Sequence, residues 1–246
     1  MFLLTYTFTP GHQGFIGILI AFAIANSIGL IQYIWAVRIT QNEHLTPFPA
    51  WVHAFFFGHD FTGACVFISL AFKYDNFWLF WVYGAGLLTW TVMELMNMRT
   101  TLLYEREEAF GHGTTQGQAL LQMAMMVALM FTIVALLRHL TGDVAMFIWL
   151  PITNLIMAIA PGLVLNARQS RKGSSVFINI MVLVGTIFNF LPAPLGLFTT
   201  VLPQIYNQPV WFAMGAVATL IAAYNLYRII QLPPKEKIPG GETPIW

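Results

Sequence analysis

"GQALLQMAMMVALMFTIVALL", residues Gly117–Leu137, contains no charged side chain. About 20 mostly apolar residues in a helix cross the ~30 Å hydrocarbon core of a bilayer, so this run is long enough to span one. Six further stretches have the same character, giving expected spans at Gly14–Val37, Pro49–Phe72, Phe77–Met98, Gln118–Leu137, Val144–Leu165, Val176–Phe198 and Val210–Ile230. Lipid offers no partner to an open backbone, so each is expected to be a helix. A porin-like barrel would need alternating strands of about ten residues, and these runs are continuous and too long. The expected class is an all-α integral membrane protein, a seven-transmembrane-helix bundle over residues 1–232, followed by a cytoplasmic tail over 233–246.

The composition agrees: 58% of the 246 residues are hydrophobic and 9% are charged, against about 25% charged in soluble domains. A net charge of +1 provides no field for nucleic acid, so the bilayer is the expected partner. The one cysteine, Cys65, lies in an apolar run and supports no disulfide framework. The opening "MFLLTYTFTPGHQG" lacks a basic n-region and a small-residue cleavage site, and reads as mature sequence. Arg38, Arg99, Arg106, Arg168, Arg171, Lys172, Arg228, Lys235 and Lys237 fall on one side of a seven-span drawing; Lys73 and Arg138 fall on the other. Basic loops stay in the cytoplasm, which places the N-terminus outside and the C-terminus inside. Trp51, Trp78, Trp81, Trp149 and Trp211 lie near span ends, as an interfacial belt does.

The spans divide as three, one and three, a pattern that would fit two three-helix repeats plus a linker helix. Setting Arg38 on Arg168 and Gly84 on Gly215 brings Glu94 onto Asn225. The fourth span, rich in Met and Leu, reads as the linker. The charged 3–4 loop, "RTTLLYEREEAFGHGTTQ", reads as a solvated surface, with a gating loop as the alternative.

Asp60 stands near the middle of the second span, within "FFGHDF". An ionised carboxylate at that depth costs at least ~2.5–3.5 kcal/mol, so Asp60 must face protein or water. Two readings stand. It is a buried acid bonded to a neighbouring helix, or a neutral acid held ready as a proton donor, since burial favours the uncharged form. Successive helical residues point about 100° apart, so His59 is not expected to face Asp60 directly; it lines the next sector of the same cavity or donates through water. Gly58, Gly63 and Ala64 allow another backbone to come close. Glu94 shares a helix face with Trp90 and Asn97; it is an interfacial acid or a second carboxyl of the cavity. Asn154, Asn189 and Asn225 either glue helices or line the cavity. Pro161, Pro192 and Pro194 are expected to break or bend spans five and six. His53 and His59 do not share a face, and there is no Cys cluster, HExxH or phosphate loop, so no metal or other cofactor is expected. The seventh span has no lysine for a retinal Schiff base.

"FFGHDF" (Phe56–Phe61) and "RKGSSVF" (Arg171–Phe177) resemble two motifs of the small seven-span membrane terpene cyclases of fungal meroterpenoid and indole-diterpene pathways, the paxilline-cyclase type. The first resembles that family's N-x-x-W-E-F, with Asp60 in the place of the glutamate, His59 of the tryptophan and Phe56 of the asparagine. The second resembles an R-G-x-S-like turn that opens the sixth span. In "LIAAYN" (Leu220–Asn225) Ile221 occupies the place of a family aspartate, so a two-carboxylate mechanism does not transfer unchanged. The topology is also similar to PQ-loop and SWEET-like carriers.

The resemblance implies acid-initiated carbocation cyclisation of an epoxidised polyprenyl or meroterpenoid substrate, a lipid-soluble isoprenoid, with no metal or nucleotide. Asp60 would be the donor, with His59 and Glu94 beside it as candidate catalytic groups. Phe56, Phe57, Trp90, Asn97, Asn154, Asn189, Tyr224 and Asn225 are candidate substrate contacts, the aromatic faces stabilising cations by ~0.5–2 kcal/mol each. Two alternatives remain: a small-solute or proton-coupled carrier, and a structural subunit of a membrane complex.

Overall fold

The computed structural model describes residues 2–148 and 150–235. Trp149, Lys237 and the expected tail beyond Lys235 lie outside the described residues. The chain is helical: α1 (Phe2–Thr7), α2 (Phe15–Glu43), α3 (Ala50–Lys73), α4 (Trp78–Tyr104), α5 (Arg106–Phe110), α6 (Gln116–Thr141), α7 (Thr153–Arg168, entered through a 3-10 turn at Leu150–Ile152), α8 (Val176–Asn189), α9 (Leu197–Val201), α10 (Pro203–Tyr206) and α11 (Pro209–Gln231). Six helices, α2, α3, α4, α6, α7 with its 3-10 turn, and α11, are long and apolar enough to cross a membrane. This is a multi-pass helical membrane protein.

Local chemistry sets the helix ends. Thr115 and Gln118 form a reciprocal capping box at the start of α6, and Gly142 ends that helix in the left-handed region. The Ser175 hydroxyl accepts from the Ile178 amide and caps α8. Proline at the first position opens α11.

The prolines act differently in the two spans, and the expected limit of span six needs correction. Pro161 lies inside a continuous α7 and does not break it. Span six does not run to Phe198: its helix stops at Asn189, and Pro192 and Pro194 lie in the turn beyond it. A proline lacks the amide N–H, so the helix has nothing with which to continue its ladder there. The turn closes through Gly196 N–H to the Pro192 carbonyl at 3.0 Å and Thr199 Oγ1 to the Leu191 carbonyl at 2.8 Å. Gly196 passes so close to the Leu191 carbonyl that a Cβ would lie 1.9 Å from its oxygen.

Polar bonds gather six helix ends at one end of the bundle. Thr46, between α2 and α3, bonds Glu105 at the foot of α4. Arg168, at the end of α7, pairs with Glu105 and Glu108. Arg171, before α8, donates to the Ile230 and Leu232 carbonyls at the end of α11. Glu43 of α2 pairs with Lys235. Neighbours in sequence therefore run antiparallel: α2 with α3, α3 with α4, α7 with α8, and α8 with α11. At the opposite end, Trp78 Nε1 donates to the Phe8 carbonyl at 3.2 Å.

Helix α4 packs between α3 and α2, α8 bridges α2 to α7 and α11, and α6 leans on α3 from outside. Leu120, Leu121, Met125, Leu129, Leu136 and Leu140 of α6 are all exposed. An apolar face of that extent belongs against hydrocarbon.

Candidate functional site

Helix α3 carries Phe55–Asp60 into the middle of the bundle, where Asp60 is 3% and His59 2% exposed. The expectation that these neighbours do not meet is corrected: His59 Nδ1 lies 2.6 Å from Asp60 Oδ1. The Cβ directions diverge, but the imidazole swings across the helix surface. Phe55, one turn earlier, stacks on the ring at 6.1 Å and 21°, and Phe56 meets it edge-on at 6.4 Å.

Asp60 and His59 form part of the wall of a half-enclosed cavity of about 150 Å³ between α2, α3, α4, α7 and α8. Aromatic and aliphatic groups make most of the lining: Phe56, Tyr83, Leu87, Trp90, Phe188 and Phe198. Polar groups arrive from several helices, with Asn26, Gln32 and Tyr33 from α2, Thr153 and Asn154 from α7, and Asn189 from α8. Asn189 Nδ2 also donates to the Pro151 carbonyl at 3.3 Å. Tyr33 packs edge-on against Phe56 at 6.3 Å and tilts against Trp90 at 5.9 Å.

Of the residues singled out from sequence, Asp60, His59, Phe56, Trp90, Asn154 and Asn189 meet at this cavity. Five others lie elsewhere. Glu94 and Asn97 are fully buried in an adjoining polar pair site, where Glu94 Oε2 lies 2.6 Å from His53 Nδ1 and 3.5 Å from Asn97 Nδ2. Phe57 faces α6, meeting Phe131 edge-on at 6.0 Å. Tyr224 is 56% exposed on the outside of α11. Asn225 is a helix joint: its Nδ2 donates to the Ala158 carbonyl of α7 at 2.8 Å. Gly162 makes the room for that amide, since a Cβ there would lie 2.2 Å from Asn225 Oδ1.

Gln32 and Tyr33 are cavity residues not singled out from the sequence above, although two adjacent polar groups inside the long apolar run of α2 are a usable signal. The His53–Glu94 pair had none, because its members sit on different helices.

No family model, curated protein or solved structure matches the chain. Function is therefore argued from the site itself. Among the described residues, no three His, Cys, Asp or Glu side chains converge as a metal site. What the cavity offers is one acid–imidazole pair, a largely apolar and aromatic wall, and a few amides. That set can hold a proton at a fixed point, exclude bulk water and stabilise positive charge.

Proposed function

We propose that the chain is a membrane-embedded terpene cyclase acting on an epoxidised polyprenyl or meroterpenoid substrate. The observation that carries this is Asp60, at 3% exposure, in the wall of an aromatic cavity inside the membrane region. The Asp60 carboxyl donates its proton to the epoxide oxygen. As that C–O bond breaks, an internal alkene attacks the carbon and a ring closes, with the oxygen left as a hydroxyl. The positive charge moves to the next tertiary carbon, facing Phe56, Trp90 and Tyr83. Loss of a proton from the final cation regenerates an alkene, so the product is an isomer of the substrate. His59 holds the Asp60 carboxyl in one orientation. A water-poor lining keeps the cation from being quenched.

On this reading α8 and the Phe190–Gly196 turn complete a seventh crossing. The helix rises about 21 Å at 1.5 Å per residue, short of the hydrocarbon core, and the turn with α9 makes up the remainder. The antiparallel run of its neighbours supports this. The basic end of the bundle is the cytoplasmic end, which puts the N-terminus outside. A two-repeat origin draws support from the packing of α2 and α3 on α4 and of α7, α8 and α11 on one another, although Glu94 bonds α3 while its counterpart Asn225 bonds α7.

The test is Asp60→Asn, purified with its lipids and assayed against the isoprenoid epoxide found to co-purify. Loss of turnover by more than about 10²-fold, the usual weight of a general acid, with unchanged folding, is the expected result. Retained turnover removes Asp60 from the role.

A second reading has its own observation: Gln32, Asn154 and Asn189 bring amides from three helices to one cavity, which suits a small polar solute and a carrier. A polar molecule in place of an isoprenoid in the co-purified fraction would favour it.

A further inference from the structure

An acid that gives up its proton inside the membrane must recover one before the next turnover. We infer that Tyr33, Glu94 and His53 form a proton-return path from the basic end of the bundle to Asp60; this rests on reading Asp60 as the donor.

The groups form a series. Tyr33 borders the cavity, and its hydroxyl lies close enough to both carboxyls, Glu94 and Asp60, to feel their charge. Glu94 Oε2 is bonded to His53 Nδ1 at 2.6 Å. The His53 ring packs against Phe48 at 5.9 Å. Phe48 and Pro49 line a groove of about 310 Å³ at the basic end, bordered by Thr46, Glu105 and Arg168. The path thus leads from the cavity to that groove.

A second observation is independent of this order. Three buried polar atoms along the series make no close hydrogen bond, the Tyr33 hydroxyl, Glu94 Oε1 and His53 Nε2, with Tyr33 and Glu94 only loosely facing one another. Glu94 and His53 are 0% exposed. A purely structural pair would use its remaining lone pairs or be replaced by apolar groups, because an unpaired buried polar atom costs about 1–3 kcal/mol. These are the atoms a relay requires. Carboxyl and imidazole each take a proton at one atom and release it from the other.

The balance closes on one proton. Asp60 becomes a carboxylate when it protonates the epoxide. Tyr33 passes its proton to Asp60 and takes one from Glu94. Glu94 takes the Nδ1 proton of His53 while His53 accepts one at Nε2 from groove water. The imidazole then turns, gives its Nε2 proton back to groove water and takes one from it at Nδ1, which restores its starting tautomer with no net change in the water. The proton lost by the final cation repays the water, so nothing is consumed.

The experiment needs no substrate. Protein in lipid nanodiscs is switched from H2O to D2O buffer, and infrared difference spectra follow deuteration of the protonated Asp60 carboxyl, identified by its disappearance in Asp60→Asn. Glu94→Gln, His53→Gln and Tyr33→Phe are each expected to slow that exchange roughly tenfold or more, equivalent to ~1.4 kcal/mol on the barrier. Tyr33→Phe keeps the ring packing on Phe56 and Trp90, so it reports on the path even if the other variants misfold. Exchange at the wild-type rate in Tyr33→Phe and in the other folded variants overturns the path and leaves Asp60 as donor. Absence of a protonated Asp60 band in the wild type overturns the donor and the path together.

Discussion

Single side chains in this bundle are placed by the energy of leaving water. Asp60 was visible in the sequence because a charge in an apolar run costs several kcal/mol and must be accounted for. Its bond to His59 was not visible, since it depends on ring rotation about bonds that spacing does not encode. Tyr206 shows the same energy outside the spans. It is 3% exposed, and its hydroxyl has no partner. Burial, with Asp143 nearby, pushes the phenol above its ordinary value. In the unfolded chain the phenol ionises near pH 10 while the folded one stays neutral, so stability conferred by Tyr206 is complete below that pH and is lost as pH rises beyond it. Tyr206→Phe is expected to flatten the alkaline fall in melting temperature and to leave the neutral-pH value nearly unchanged. Thermal unfolding in detergent across about pH 8–11 measures both.

Among the helices, apolar length marks where lipid is, not where a helix ends. The expected first and third spans stopped at Val37 and Met98, whereas α2 and α4 continue to Glu43 and Tyr104. The added turns are polar and sit at the basic end, beyond the hydrocarbon, where helix and water are compatible. The α7–α11 joint was equally hidden. Sequence leaves Asn225 open between helix glue and cavity lining and Pro161 between a break and a bend, and gives Gly162 no role; the structure selects the glue and an unbroken helix. Together the three residues let an amide dock on a carbonyl one turn before the proline. Gly162→Ala is expected to destabilise the protein by about 1–3 kcal/mol, the range for forcing extra volume into a packed site. In an Asn225→Ala background the same change is expected to cost much less, because the obstructing amide is gone. A double-mutant cycle by denaturant unfolding reads the coupling.

At the scale of the whole molecule, the polar clasp at the basic end fixes how the helices are gathered. Glu105, 4% exposed, accepts from the Thr46 amide at 2.6 Å, the Thr46 hydroxyl at 2.6 Å and the Thr101 hydroxyl at 3.1 Å, and pairs with Arg168. Arg168 also donates to the Thr46 carbonyl at 2.8 Å. Removing one member leaves a buried charge without its counter-charge, at about 3–5 kcal/mol. Arg168→Met is expected to lower stability by that amount, and adding Glu105→Gln to recover part of it; melting curves of the wild type and the two variants decide. The charges of this region had been read as a solvated loop. Glu107 and His112 fit that reading, with an exposed pair at 3.4 Å, while Glu105 does not. Sequence shows that a charge lies outside a span, not that a partner from a helix 63 residues away will cover it.

The size of the central cavity carries a consequence for selectivity. A half-enclosed, largely aromatic cavity of about 150 Å³ has room for about one benzene-sized group. For the proposed isoprenoid substrate, a chamber of this size would take only the reacting terminus, with the rest of the molecule trailing into surrounding membrane. Discrimination then falls on the shape of that first ring, while tail length is left to the lipid.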